Sequence, residues 1–400
     1  MYKIRKGEER DRHAVVEMLS RALGELETFE DYWIDSWREY WNRPENDDYA
    51  YVATYNDHVV ANLAFFVNDG FNCIRGGGLK FGGIWAVGTE EAHRRKGLLT
   101  QLFSESFPAM KEKGVVLSIL DPSPYHGAQL AYEKSGYTLA EKRVKYIFHP
   151  STLRLTKSAQ NIIFRKLEDS SDYRKISELE LSMSRYGSRV FTWPLIFQRQ
   201  IDSGQFYVFD SGGKIIACIR ITLSKENVLN ISSAYFTSLD VFPTLINFIK
   251  QKSSGLERIE WVCDPQIPIW NYLQNISRVN IQNKGTMMMR IVDFSGYCDS
   301  IRVADEVEDE VILRLVDDQC PWNEGIYRLN SSEGKLVAEK IDIRKDYDIE
   351  LLPLQLSQIT CGLTSSMILR ELGEISCSLE TAKKLDSMFP ADYFLSYFRF

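Results

Sequence analysis

The stretch His93-Arg94-Arg95-Lys96-Gly97-Leu98-Leu99 sets three cations and a glycine ahead of an apolar helical run. A helix start leaves four backbone N–H groups unsatisfied and carries partial positive charge, so anions bind there. Arg94, Arg95 and Lys96 add side-chain donors, and Gly97 permits close backbone approach, as a diphosphate would require. The same run also fits a solvated charge cluster, although cations at a helix start oppose its dipole. A second constellation lies in GELETFEDYWIDSW, where Glu25, Glu27, Asp31, Trp33 and Trp37 interleave acids with aromatic rings. That mixture suits either an ammonium pocket or an amphipathic helix that buries its tryptophans. Tyr132 and Tyr137 in AYEKSGY are a candidate proton donor and a candidate packing residue, and His126 is a lone loop histidine. The chain ends in YFLSYFRF, far more aromatic than a fraying terminus, so it is expected to dock on the protein.

The chain that must position these groups has 400 residues, enough for two or three hydrophobic cores. Its net charge of -7 argues against nonspecific nucleic-acid or acidic-membrane binding and suits a cationic substrate. We find neither a signal peptide nor an apolar span of membrane length, so a cytoplasmic protein is expected. The seven cysteines contain no CxxC pair and the five histidines no HxxxH, so neither disulfides nor a metal are expected.

Residues 3–5 read as a strand and 11–23 as a helix. YAYVATYN and HVVANLAFFV read as a hairpin turning at Asn56-Asp57. LKFGGIWAV is a strand whose Gly82 and Gly83 mark a bulge or close approach. A helix over about 96–113, the strand 115–120, a short helix over 128–135 and the strand KYIFHP complete a mixed α/β unit. The polar segment 151–161 reads as a linker, and 162–253 repeats the order of elements without the basic turn. From Ile301 onward strands precede helices, an α+β pattern.

This order, with Arg94 to Leu99, resembles the GNAT superfamily of acyl-CoA-dependent N-acetyltransferases, whose phosphate turn ends in a small residue where Leu99 stands. The resemblance implies that acetyl-CoA lies along Trp85, Ala86, Val87 and Thr89 and on residues 94–99. The backbone N–H near Val87 would polarise the thioester carbonyl. HRRKGLL, AYEKSGY, CPWNEGIYRL, LDSMF and the terminal phenylalanine together resemble the enhanced-intracellular-survival (Eis-like) family. It implies tandem GNAT folds followed by a sterol-carrier-protein-like α+β domain, at residues 1–150, 151–295 and 296–400. It further implies Tyr132 as general acid, the Phe400 carboxylate as general base, and a homo-oligomer, a hexamer in that family. Arg399 departs from the family's usual acidic or tyrosyl neighbour. Glu25, Trp33 and Trp37 are the expected substrate contacts. The acceptor would be an aminoglycoside-like or polyamine amine, or a lysine side chain. The alternatives are a lipid- or acyl-binding protein with a silent GNAT unit, and an enzyme using a longer acyl donor.

Overall fold

The computed structural model describes residues 1–23, 49–69, 72–122, 128–155, 157, 162–191, 197–198, 201–202, 205–342, 346–392 and 394–396. Glu25, Glu27, Asp31, Trp33, Trp37, His126, Arg399 and Phe400 therefore lie outside the described residues.

Two seven-stranded mixed sheets form the body of the chain. The first runs Tyr2–Lys6, Ala50–Tyr55, His58–Asp69, Lys80–Thr89, Leu117–Leu120, Met288–Ile291 and Thr138–Leu139. Its hairpin turns where expected, with Asn56 and Asp57 both at positive φ. The second runs Ile163–Lys166, Gln205–Ser211, Lys214–Leu223, Val228–Phe236, Arg258–Cys263, Val144–Phe148 and Asn280–Asn283. Position by position the two sheets repeat one another, including one central parallel pair each, Lys80–Thr89 with Leu117–Leu120 and Val228–Phe236 with Arg258–Cys263.

The sixth position is exchanged. Val144–Phe148, read in the sequence as the last strand of the first unit, pairs instead with Arg258–Cys263 and Asn280–Asn283 of the second sheet. In its place Met288–Ile291, which follows the second unit, joins Leu117–Leu120 to Thr138–Leu139. Local periodicity identifies a strand without naming its sheet, so alternation alone could not show the exchange.

A four-stranded sheet, Lys335–Ile341, Gly325–Ser332, Glu310–Leu315 and Ile349–Leu351, carries the helices Pro353–Cys361, Ser366–Glu371 and Leu379–Met388. Its residues Leu313, Leu315, Tyr327, Leu356 and Leu385 share one core with Phe66, Phe81, Leu117, Ile119 and Met289 of the first sheet. The opposite face of that sheet is covered by the helix Leu98–Glu112, through Leu98, Leu102, Phe103 and Phe107. All seven cysteines are unpaired thiols and five of them are buried.

Candidate active site

Lys80–Thr89 pairs with Leu117–Leu120 only from Phe81 to Ile84. Beyond Ile84 no described strand lies on that side of Trp85 to Thr89, and Trp85, Ala86 and Val87 are half-buried. The opening begins where a bulge interrupts the pairing with His58–Asp69. Asn62 faces Gly88 and Ala64 faces Trp85, so two residues, Ala86 and Val87, stand opposite Leu63. Ala86 occupies the left-handed region at φ 56°, unusual for a residue with a Cβ. The fully buried Asn62 holds it there, its Nδ2 donating to the Ala86 carbonyl at 2.8 Å. Gly82 and Gly83, where a bulge was one expectation, pair in regular register with Val67 and Phe66. The other expectation, close approach, describes Gly83, where a Cβ would fall 2.1 Å from the Phe66 ring.

Beside the opening, a 3-10 turn over Glu91–His93 leads into the basic segment. Tyr2 Oη lies 3.0 Å from His93 Nδ1, and Arg21 pairs with Glu90 at 2.7 Å, which fixes the turn from both sides. The Arg94 guanidinium donates to the carbonyls of Thr89 and Ala22, each at 3.1 Å. Arg94 thus braces the turn, while Arg95 and Lys96 are exposed. Arg95 at φ 61° and Gly97 at φ 73° turn the chain into the helix, and Gly97 is its N-cap. None of the amides from Arg95 to Thr100 has an acceptor among the described residues. A Cβ on Gly97 would meet only Gln101, at 3.9 Å, so the helix end faces open space. Residues 95–100 therefore fit a diphosphate through backbone N–H groups and two cations. Leu98 is buried and Leu99 half-buried against the core, so neither occupies the anion's place. The equivalent helix of the second sheet, Phe242–Lys252, begins with Ser238, Asp240 and Pro243 in place of cations.

Tyr132 projects from the short helix Gln129–Glu133 into the same core as Ile84, Leu98 and Phe103, and Val87 packs against it. Its ring meets Phe103 and Tyr137 edge-on, each 6.2 Å away. At 6% exposure, burial pushes its hydroxyl pKa well above the usual tyrosine value. Among the described residues that hydroxyl makes no hydrogen bond, whereas the Tyr137 hydroxyl is 2.7 Å from Ser118 Oγ and wholly buried. Tyr137 is packing, as the sequence reading has it, and Tyr132 is the tyrosine with an uncommitted proton.

The loop after Tyr132 is held from outside its own unit, a feature the sequence reading missed. Arg290, on the exchanged strand, donates to the Ser135 carbonyl, to Asp317 at 2.7 Å and to Gln319 at 3.2 Å. It also lies over the Phe107 ring at 4.4 Å. Gly136, at φ 81°, leaves room for it, because a Cβ there would come within 2.7 Å of the guanidinium. Asp317 accepts from the amide of Cys320, the first residue of the CPWN turn, at 3.0 Å, and Asn323, the last, donates to Val292 at 3.1 Å. Burial pushes the neighbouring Cys320 thiol up to about 12 even though Arg290 works against it.

Residues 3–140 match the acetyltransferase (GNAT) domain family, and residues 296–393 match the sterol carrier protein domain family. No curated protein matches the chain. Among solved structures, a GCN5-related N-acetyltransferase from Anabaena variabilis is similar over 100% of both chains, with a TM-score of 0.84 at 17% identity. A probable N-acyltransferase from Enterococcus faecalis covers 100% of both chains with a TM-score of 0.83 at 15% identity. Eis1 from Mycobacterium abscessus likewise covers 100% of both, with a TM-score of 0.76 at 15% identity. At such identities the likeness is one of fold, and it runs from end to end. The protein thus carries a GNAT acetyltransferase domain in a tandem GNAT-like arrangement, followed by a sterol-carrier-protein-like domain.

Proposed function

We propose that this protein is an Eis-like, acetyl-CoA-dependent N-acetyltransferase that acts on an amine of a cationic acceptor, an aminoglycoside-like molecule, a polyamine or a lysine side chain. The observation that carries the reading is the strand edge left unpaired at Trp85 to Thr89, beside a helix end that carries Arg95 and Lys96 and whose amides find no acceptor among the described residues. Residues 95–99 hold the diphosphate, with Arg94 bracing their turn. Trp85, Ala86, Val87 and Thr89 line the pantetheine arm. The Val87 amide, turned by the bulge, stabilises the oxyanion that develops on the thioester carbonyl.

Transfer is direct. The acceptor nitrogen forms a bond to the carbonyl carbon, the carbon–sulfur bond breaks, and two protons move. The Phe400 carboxylate takes the proton of the amine, and Tyr132 gives its own to the departing thiolate. Burial keeps the Tyr132 hydroxyl protonated, and its position in the core beside Ile84 and Val87 supports the role. Glu25, Trp33 and Trp37 contact the acceptor's charge. We take residues 1–150 as the catalytic unit, 151–295 as its silent copy and 296–400 as the domain delivering the carboxylate, with the exchanged strands tying the units together. The unpaired thiols fit the cytoplasm, and a homo-oligomer, a hexamer by resemblance, is the expected assembly.

The test is thiol release from acetyl-CoA across a panel of aminoglycosides, polyamines and lysine peptides. Acetylation of at least one class is expected; no release with any of them, despite coenzyme A binding, would favour a silent GNAT unit instead. One glycine added after Phe400 is expected to lower kcat by about 100-fold or more. Full activity of that extended chain would overturn the base assignment.

A further inference from the structure

Among the described residues the Tyr132 hydroxyl makes no hydrogen bond, so its aim is set by the backbone that carries the ring and by the rings around it. Both routes lead to one side chain. The backbone route runs through the end of the short helix, where the Tyr132 carbonyl accepts from the Ser135 amide at 2.9 Å and from the Tyr137 amide at 3.1 Å. The Ser135 carbonyl in turn accepts from the Arg290 guanidinium. The ring route runs from Tyr132 to Phe103, edge-on at 6.2 Å, and from Phe103 to Phe107, stacked at 5.3 Å. Arg290 covers that far ring, 4.4 Å from its centre.

Arg290 is itself held by parts of the chain far from Tyr132 in sequence. Its strand, Met288–Ile291, joins the first sheet although it follows the second in the chain, and Arg290 stands opposite Ser118. Asp317 accepts from it at 2.7 Å and Gln319 at 3.2 Å, and both belong to the segment that matches the sterol carrier protein family. Asp317 is fixed in turn, accepting from the Cys320 amide at 3.0 Å and from the Asn323 side chain at 3.3 Å. Apolar side chains often replace a buried ion pair at little cost in stability, so stability alone gives no reason for charge here. Geometry does. A guanidinium offers several donors in one rigid plane, enough to tie a carbonyl, a carboxylate and an amide together over an aromatic face. A displacement of about 1 Å that starts far from the reacting atoms can cost on the order of a hundredfold in rate.

We propose that Arg290, anchored by Asp317 and Gln319, is a positioning residue for Tyr132, so that the sterol-carrier-protein-like domain sets the aim of the acid. This rests on the reading of Tyr132 as the general acid. The test uses Arg290→Met combined with Asp317→Leu, which removes the charge pair together and leaves no stranded carboxylate. Arg290→Lys, which keeps the charge but not the planar fork, serves in its place if the pair does not fold. The substitution is compared in the native chain and in the Tyr132→Phe chain. In the native chain kcat is expected to fall about tenfold or more, with the acetyl-CoA KM little changed and the protein still folded by circular dichroism. In the Tyr132→Phe chain the same substitution is expected to cost nothing further, whereas a loss of packing alone would lower both rates equally. Unchanged kcat in the native chain, or an equal loss in both backgrounds, would overturn the positioning role and leave the acid reading intact. Full activity of Tyr132→Phe by itself would overturn the acid reading and this proposal with it.

Discussion

Tyr132 and Tyr137 are five residues apart, both buried, and differ in what their hydroxyls touch. Tyr132→Phe is expected to lower kcat by about 10²- to 10⁴-fold while leaving coenzyme A affinity unchanged by calorimetry. Tyr137→Phe is expected to cost stability instead, about 1 kcal/mol for the lost Ser118 contact, read by denaturant unfolding. Burial raises the Tyr132 pKa, so the protonated, active form persists to higher pH than in an exposed tyrosine. A pH profile of kcat is accordingly expected to show no alkaline fall near 10, where an exposed phenol loses its proton. Which tyrosine packs and which stays uncommitted is partly readable from AYEKSGY, since Gly136 ends the helix and Tyr137 starts the next strand. The Arg290 contact behind that loop was beyond reach, because its donor stands 155 residues away from Ser135 in the chain.

On the proposed reading the bulge in Lys80–Thr89 and the turn into Leu98–Glu112 divide the work on the cosubstrate, and each depends on one residue with an unusual backbone setting. Asn62→Ala removes the donor that holds the Ala86 carbonyl and is expected to lower kcat about tenfold or more, with little change in coenzyme A affinity. Gly97→Ala forces a Cβ into the left-handed region, costing about 1 kcal/mol by thermal unfolding, and is expected to weaken coenzyme A binding. Helix 98–112 and its basic approach were readable because charge, glycine and apolar spacing coincide there. Of the two expectations at Gly82 and Gly83 the close approach holds, while the bulge lies further along, at an alanine in a strained conformation with an asparagine behind it. A lone Asn inside HVVANLAFFV was the available signal: a buried amide in an apolar strand needs a partner.

The molecule is laced together by its exchanged strands and by the buried Arg290–Asp317 pair, whose side chains are 1% and 4% exposed. Arg290→Met is expected to cost about 3–5 kcal/mol, since it strands Asp317 without its partner; Arg290→Met with Asp317→Leu is expected to recover much of that. A fragment ending near residue 150 is expected not to fold alone: Leu117–Leu120 would keep a bare edge and Val144–Phe148 would have no sheet to join. Circular dichroism and gel filtration of that fragment check this. Tandem repetition was visible in the order of elements and in the missing basic turn, but which sheet each late strand enters is settled by contacts over more than 100 residues. The exchange also has a consequence for biosynthesis. At about 5–20 residues per second, the ribosome needs on the order of ten seconds to advance from Leu139 to Ile291. Throughout that interval the nascent GNAT domain exposes an unfinished, apolar sheet margin, a natural substrate for a chaperone.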